Sequence, residues 1–500
     1  MSIKKLAGQT AWYGVSSIFS RFLNYLLTPY LTFYLTTSIY GEMNLVYSAI
    51  PFMNVIFMYG METTFFRFSN KVNNEDHVFN IGSLSLLCTT FIFCALLIFW
   101  RVPIATFLRL EDHPQFVTWS ALIISLDTLS RLPFAKLRNA GRPRKYVFIT
   151  ITGIMVNIGL TVFFYTFLPH MAKAHPGGLM ARMYDPNLGA GYVILANLVA
   201  SAVTLLLLAR ELLSVRFEWD NKLLREMIVY SIPLIIVGFG GVINETFDRV
   251  MLSWWSSAPT EMAQKAEVGI YSACYKLSIL ITLFVQAFRM GAEPFFFQQS
   301  KGEGAQKTYA RVMKFFVITI CVMFLFVTLF LDVWKYFITN HVMWAGLKVV
   351  PILLIANMCI GVYYSLAIWY KIANRTMAGA TITIIGSLIT IAVNYIFIPR
   401  FSYMACAWAT LLCYASMMVI SYVWGQKAYP VPYATKKLTG FFVIMLIFYF
   451  VFRGVCALTP LLWVHLPVGA FLLFVYLRFI FTVEKKEISR MPYIGKWVKG

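Results

Sequence analysis

Apolar residues fall in long runs along this chain, and short polar stretches with Gly, Pro and most of the charge interrupt them. Cutting at those interruptions predicts fourteen helices. They cover roughly 9–35, 43–66, 79–100, 115–135, 146–168, 189–210, 225–255, 268–297, 312–333, 347–370, 378–398, 403–424, 438–457 and 461–481. A helix needs about 20 mostly apolar residues to cross a hydrocarbon core, and each run reaches that length. Runs longer than that suit tilted or bent helices, with Pro29, Pro51, Pro133, Pro233 and Pro294 marking the bends. The first run, from Leu6 to Leu35, exceeds a signal-peptide core and has no small-residue cleavage site behind it, so it reads as the first span.

Composition agrees with that pattern. The chain is 60% hydrophobic and 13% charged, whereas soluble proteins run at about 45–50% apolar and about 25% charged. Most of its surface therefore faces lipid, and little chain is left for a soluble domain. The expected fold class is an all-α polytopic membrane protein of about fourteen transmembrane helices. The eight cysteines all lie in apolar stretches, with no C-x-x-C and no His at ligand spacing, and read as small buried hydrophobes.

Charge then sets orientation. The stretches between predicted helices alternate in basic content, and the set that begins with Lys4 and Lys5 and includes Arg138, Arg142, Arg144 and Lys145 outweighs the other about three to one. Bases are retained on the cytoplasmic side of short loops, which puts both termini in the cytoplasm. The net charge of +21 is spread over these loops rather than gathered on a soluble face, so it points to anionic lipid headgroups and not to nucleic acid.

An internal repeat is also visible. Tyr40-Gly41-Glu42 resembles Val268-Gly269-Ile270, Gly60-Met61-Glu62 resembles Gly291-Ala292-Glu293, and Arg138 to Arg142 resembles Lys371 to Arg375, each pair about 230 positions apart. The chain accordingly divides into an N-lobe over 1–215 (helices 1–6), a C-lobe over 216–426 (helices 7–12), two further helices over 427–482 and a basic cytoplasmic tail over 483–500. Two related lobes suit a transporter.

Seven bases lie inside apolar runs: Arg21, Arg131, Arg249, Lys276, Arg289, Arg453 and Arg478. A base at the centre of a spanning helix costs about 2.5–3.5 kcal/mol even on lenient scales, so each needs a reason. Arg453 and Arg478 are near enough to helix ends to snorkel. Arg131 follows Asp127 by one turn, the spacing of an internal ion pair, and Arg249 has Glu245 and Asp248 close by. Arg21 and Lys276 have no acid at helical spacing and are the best candidates to bind an anion. The acids in the runs are Glu62, Asp127, Glu245, Asp248 and Glu293. A buried carboxylate either neutralises a base or couples transport to a proton or sodium gradient; Glu62 and Asp127 are the first coupling candidates, with Glu245 and Asp248 behind them.

No G-x-S-x-G, Walker A, H-E-x-x-H or D-x-D motif is present, so the sequence predicts neither catalysis nor a bound cofactor. Phe247 to Leu252 followed by Val268 to Leu277 resembles the span 7 and 8 signature of bacterial polysaccharide flippases, in the multidrug/oligosaccharidyl-lipid/polysaccharide exporter superfamily. Ser20-Arg21, Tyr40-Gly41 and Arg138 to Arg142 also match, and the resemblance extends over the whole chain in length, span number and repeat. It implies a flippase of the bacterial inner membrane that moves an O-antigen-type oligosaccharide, linked to undecaprenyl pyrophosphate, to the periplasmic leaflet. Alternating access around a cationic cavity follows from it, with Arg21, Arg249, Lys276 and Arg289 as substrate contacts and lipids and other polysaccharide-assembly membrane proteins as partners. Lipid II flippases carry more arginines in the early spans, which points away from a peptidoglycan precursor. The alternatives are a multidrug cation antiporter of the same fold and a membrane-bound polymerase or ligase.

Overall fold

A computed structural model describes residues 3–72, 74–299, 304–373, 375–459 and 461–488. The side chain of Glu293 and the tail beyond Ile488 lie outside the described residues. Every regular element among those described is a helix. Eleven helices are long and apolar enough to cross a membrane, or twelve if the bent pair Leu179–Leu188 and Gly191–Leu207, which meet at 118°, forms one span. Ile3–Tyr34 and Gln115–Asn139 have the length but are more polar. The chain is thus an all-α multi-pass membrane protein.

Several predicted spans are subdivided, each for a local reason. The run over 43–66 breaks where Tyr59 and Gly60 take positive φ, of 31° and 73°. Glycine accepts that conformation freely, while Tyr59 is held in it by its buried ring and a 2.8 Å bond between its hydroxyl and Ser85 Oγ. The run over 225–255 splits into Asn221–Glu245 and Asp248–Trp255. After Val162 the helix widens into a π turn, Phe163–Phe167, and the Tyr30 hydroxyl donates to the Val162 carbonyl at 3.3 Å. Pro29, Pro51, Pro133 and Pro233 all lie within helices, where each removes one backbone donor. Cys274, Cys321, Cys359, Cys406 and Cys413 are buried as expected, but Cys88 is exposed, a correction that follows from a helix face turned outward.

Contacts group the chain into two units. The first comprises the residues up to Ala273 with Asn340–Gly346 and Ala380–Cys413; the second comprises Cys274–Thr339, Leu347–Gly379 and the chain from Tyr414 onward. In the first, Phe65, Phe79, Leu132 and Met227 lie at the centre of a buried cluster, and Lys136 sits 4.2 Å above the Phe79 ring while pairing with Asp76 at 2.8 Å. In the same unit, His77 Nδ1, in the first turn of Glu75–Phe99, lies 2.7 Å from Glu218, and that bond holds the Glu218 carboxyl below the usual carboxylate range.

The tightest crossing in the first unit joins the repeat-related glycines. A Cβ on Gly41 would sit 1.9 Å from the Lys265 carbonyl oxygen, and one on Gly269 would sit 2.0 Å from that of Thr37. Each glycine thus receives the carbonyl four residues before the other, a reciprocal contact. The buried Lys265 ammonium pairs with Glu42 at 2.9 Å beside it. The second unit is fastened by Lys314, buried between Glu484 at 2.6 Å and Glu487 at 2.7 Å.

Candidate functional site

Three helices of the first unit carry mostly polar stripes at spacings of three and four. Asp127, Arg131, Phe134 and Arg138 recur this way on Gln115–Asn139, as do Tyr146, Thr150, Gly153 and Asn157 on Pro143–Val162 and Asn197, Ser201 and Thr204 on Gly191–Leu207. Such spacing keeps a stripe on one face of a helix, and all three stripes line one cavity of about 340 Å³. Asn24 and Glu62 complete its polar wall.

Within it the charges are balanced and unevenly engaged. Arg138 pairs with Glu62. Asp127 meets the Ser201 hydroxyl and feels the charge of Arg131, yet the two make no contact ion pair among the described residues, so the turn spacing in sequence did not produce the pair it suggested. Thr150 and Thr204 satisfy their hydroxyls on carbonyls one turn back, at 2.9 and 2.8 Å, whereas Asn157 Oδ1 and Arg138 Nε are buried with no partner among the described residues. A polar cavity with orphaned donors and acceptors holds water or a polar ligand.

The predicted substrate contacts divide evenly: Arg21 and Arg249 belong to the first unit, Lys276 and Arg289 to the second. Arg21 is exposed one turn before Asn24, and no acid pairs with it among the described residues. Lys276 is half-buried and has interactions of its own. The Arg289 guanidinium lies 4.6 Å over the Tyr364 ring and lines a small cavity with Lys371. Arg249 is buried: it donates to Asp248 at 2.9 Å and to the Glu245 carbonyl at 3.1 Å, and Tyr271 donates to the other Asp248 oxygen at 2.6 Å. These bonds tie Arg249 and Asp248 together at the helix break. Glu245 is exposed and contributes its backbone. Reading single charges found Glu62, Asp127, Arg131 and Arg138 but not the Asn, Ser, Thr and Tyr that make half of the wall; the polar stripes were the signal for those.

The polysaccharide biosynthesis protein family matches residues 6–300. No curated protein matches the chain in sequence. Among solved structures, the chain is similar to the lipid II flippase MurJ in its inward closed conformation, with 12% identity, a TM-score of 0.71 and coverage of 94% of this chain and 98% of that one. A multidrug resistance MATE family transporter of the MOP superfamily, inward-facing, gives 14% identity and a TM-score of 0.58 over 85% and 94% of the two chains. A MATE transporter in the straight conformation gives 12% and 0.57 over 85% and 95%. At these identities the likeness shows a shared fold.

Proposed function

Because this chain belongs to the polysaccharide biosynthesis protein family, we propose that it is a flippase for a lipid-linked oligosaccharide. It moves a substrate of the undecaprenyl-pyrophosphate type from the cytoplasmic to the periplasmic leaflet of the bacterial inner membrane by alternating access, with both its termini in the cytoplasm. The observation that carries this reading is the cavity of about 340 Å³ lined by Asp127, Arg131, Glu62 and Arg138 inside a bundle of membrane-spanning length. Sugars and pyrophosphate lose several kcal/mol per unmatched polar group in hydrocarbon, on the order of 2–7 each, so their passage requires polar, wet surroundings. The isoprenoid tail, being apolar, has no such need.

Arg21, Lys276 and Arg289 are the cations proposed to contact the head group as it passes. Arg21→Ala and Lys276→Ala each remove hydrogen bonds to a charged group, worth about 1.5–3 kcal/mol. Translocation at limiting substrate is therefore expected to fall about tenfold or more for each variant, measured with labelled substrate in vesicles at matched protein content. Wild-type rates from both folded variants contradict the assignment.

Asp127 is the proposed coupling group, its carboxylate and the Asn157 Oδ1 offering oxygens to a proton or sodium ion. The Asp127→Asn variant is expected to lose the dependence of the transport rate on an imposed proton or sodium gradient; a gradient response equal to wild type removes Asp127 from that role. The same residue supports a second reading, a multidrug cation antiporter, since its carboxylate makes no contact ion pair among the described residues. Efflux of lipophilic cations without movement of the labelled oligosaccharide lipid would favour that one.

A further inference from the structure

A second cavity in the first unit, of about 300 Å³, lies among Thr37–Met58, Arg101–Phe107, Gln115–Asn139 and Asp248–Trp255. Among its lining residues only Ser120 has a polar side chain, and that hydroxyl already donates to the Phe116 carbonyl at 2.7 Å. Each buried water needs two to four polar partners, and apolar cavities of about 150 Å³ stay dry and take up benzene. A cavity twice that size with no polar wall calls for an apolar occupant, and in a bilayer that occupant is a hydrocarbon chain.

Its placement says which kind. Gln115–Asn139 lines both cavities with one face: Val117, Ser120 and Ile124 look into the apolar cavity, and Asp127, Arg131 and Arg138 into the polar one. The spacings along this stripe are built from threes and fours, so it holds to one side of the helix. At 1.5 Å per residue it is about 30 Å long, matching the hydrocarbon core. Polar at one end and apolar at the other, it has the layout of an amphiphile. The rings of Phe52, Phe107, Phe116 and Phe247 wall the apolar end, and a methyl-branched chain fills such a space with more close contacts per unit length than a straight acyl chain.

We propose that the apolar cavity is a binding site for isoprene units of the substrate's polyprenyl chain. The proposal rests on the flippase reading and adds to it a site for the tail. Its test uses the full-length protein in lipid nanodiscs, irradiated with a polyprenyl phosphate or a phosphatidylethanolamine, each bearing a diazirine in its hydrocarbon chain, followed by mapping of the crosslinked peptides. The polyprenyl probe is expected to label the wall segments 104–124 and 247–250, and excess unlabelled polyprenyl phosphate is expected to displace it. Ala49→Trp, which places an indole in the cavity, is expected to reduce labelling about fivefold by removing the contacts. Absence of label in these segments overturns the proposal. So does equal labelling by the phospholipid probe that polyprenyl phosphate fails to displace, since the cavity is then a general lipid site. The wild-type competition decides the matter even if Ala49→Trp folds poorly. Labelling is read without transport, so displaceable label in a protein that moves no oligosaccharide overturns the flippase reading alone.

Discussion

Replacing Arg249 with methionine is expected to cost about 3–5 kcal/mol of stability, the usual penalty for leaving one partner of a buried ion pair uncompensated. The side chains of Arg249 and Asp248 are 9% and 6% exposed, and Tyr271 supplies Asp248 with one hydrogen bond where a carboxylate needs several. The double variant Asp248→Asn with Arg249→Met removes both charges and is expected to recover most of the loss, because a buried pair taken out whole is often near neutral. Thermal unfolding of the purified variants in detergent checks this. If Arg249 were a substrate contact instead, Arg249→Met would melt like wild type while transport fell, and the second substitution would restore nothing.

Gly41→Ala is expected to be comparably severe. Overpacking a core costs about 1–3 kcal/mol when side chains can shift, but the obstacle 1.9 Å from the new Cβ is the Lys265 backbone carbonyl, so the cost falls at or above the top of that range. Separating the helices to make room would also stretch the Lys265–Glu42 pair. Gly269→Ala should behave alike, given its 2.0 Å approach to the Thr37 oxygen, whereas Gly159→Ala and Gly454→Ala, with nothing within 4 Å, serve as neutral controls. Yield of monodisperse protein and its melting temperature report the difference; four indistinguishable variants would mean that the crossing is not tight.

Helices of spanning length were legible because apolar runs interrupted by charge are a one-dimensional signal. Breaks within them were less so. The split at Thr246–Phe247 depends on Arg249 reaching back to the Glu245 carbonyl and on Tyr271 arriving from another helix; the turn at Tyr59 depends on Ser85. Neither partner is local. The structure gives Gly41 and Gly269 a reason: each admits the other's backbone. At the site, individual charges drew attention while neutral polar stripes did not, although Tyr146, Thr150 and Asn157 hold one helix face as regularly as any apolar stripe. Asp127 was found by its charge; its setting against Ser201, in a cavity shared with Asn157, required the fold.

The most direct test of the central claim is translocation by the wild-type protein. Proteoliposomes would carry an oligosaccharide on polyprenyl pyrophosphate, fluorescently labelled on the sugar, and a membrane-impermeant quencher would be added outside. Flippase activity predicts that quenching proceeds past the share of label initially in the outer leaflet until the inner-leaflet pool is also consumed. Quenching that stops at the level of protein-free vesicles, with the protein folded and a proton or sodium gradient imposed, contradicts the account.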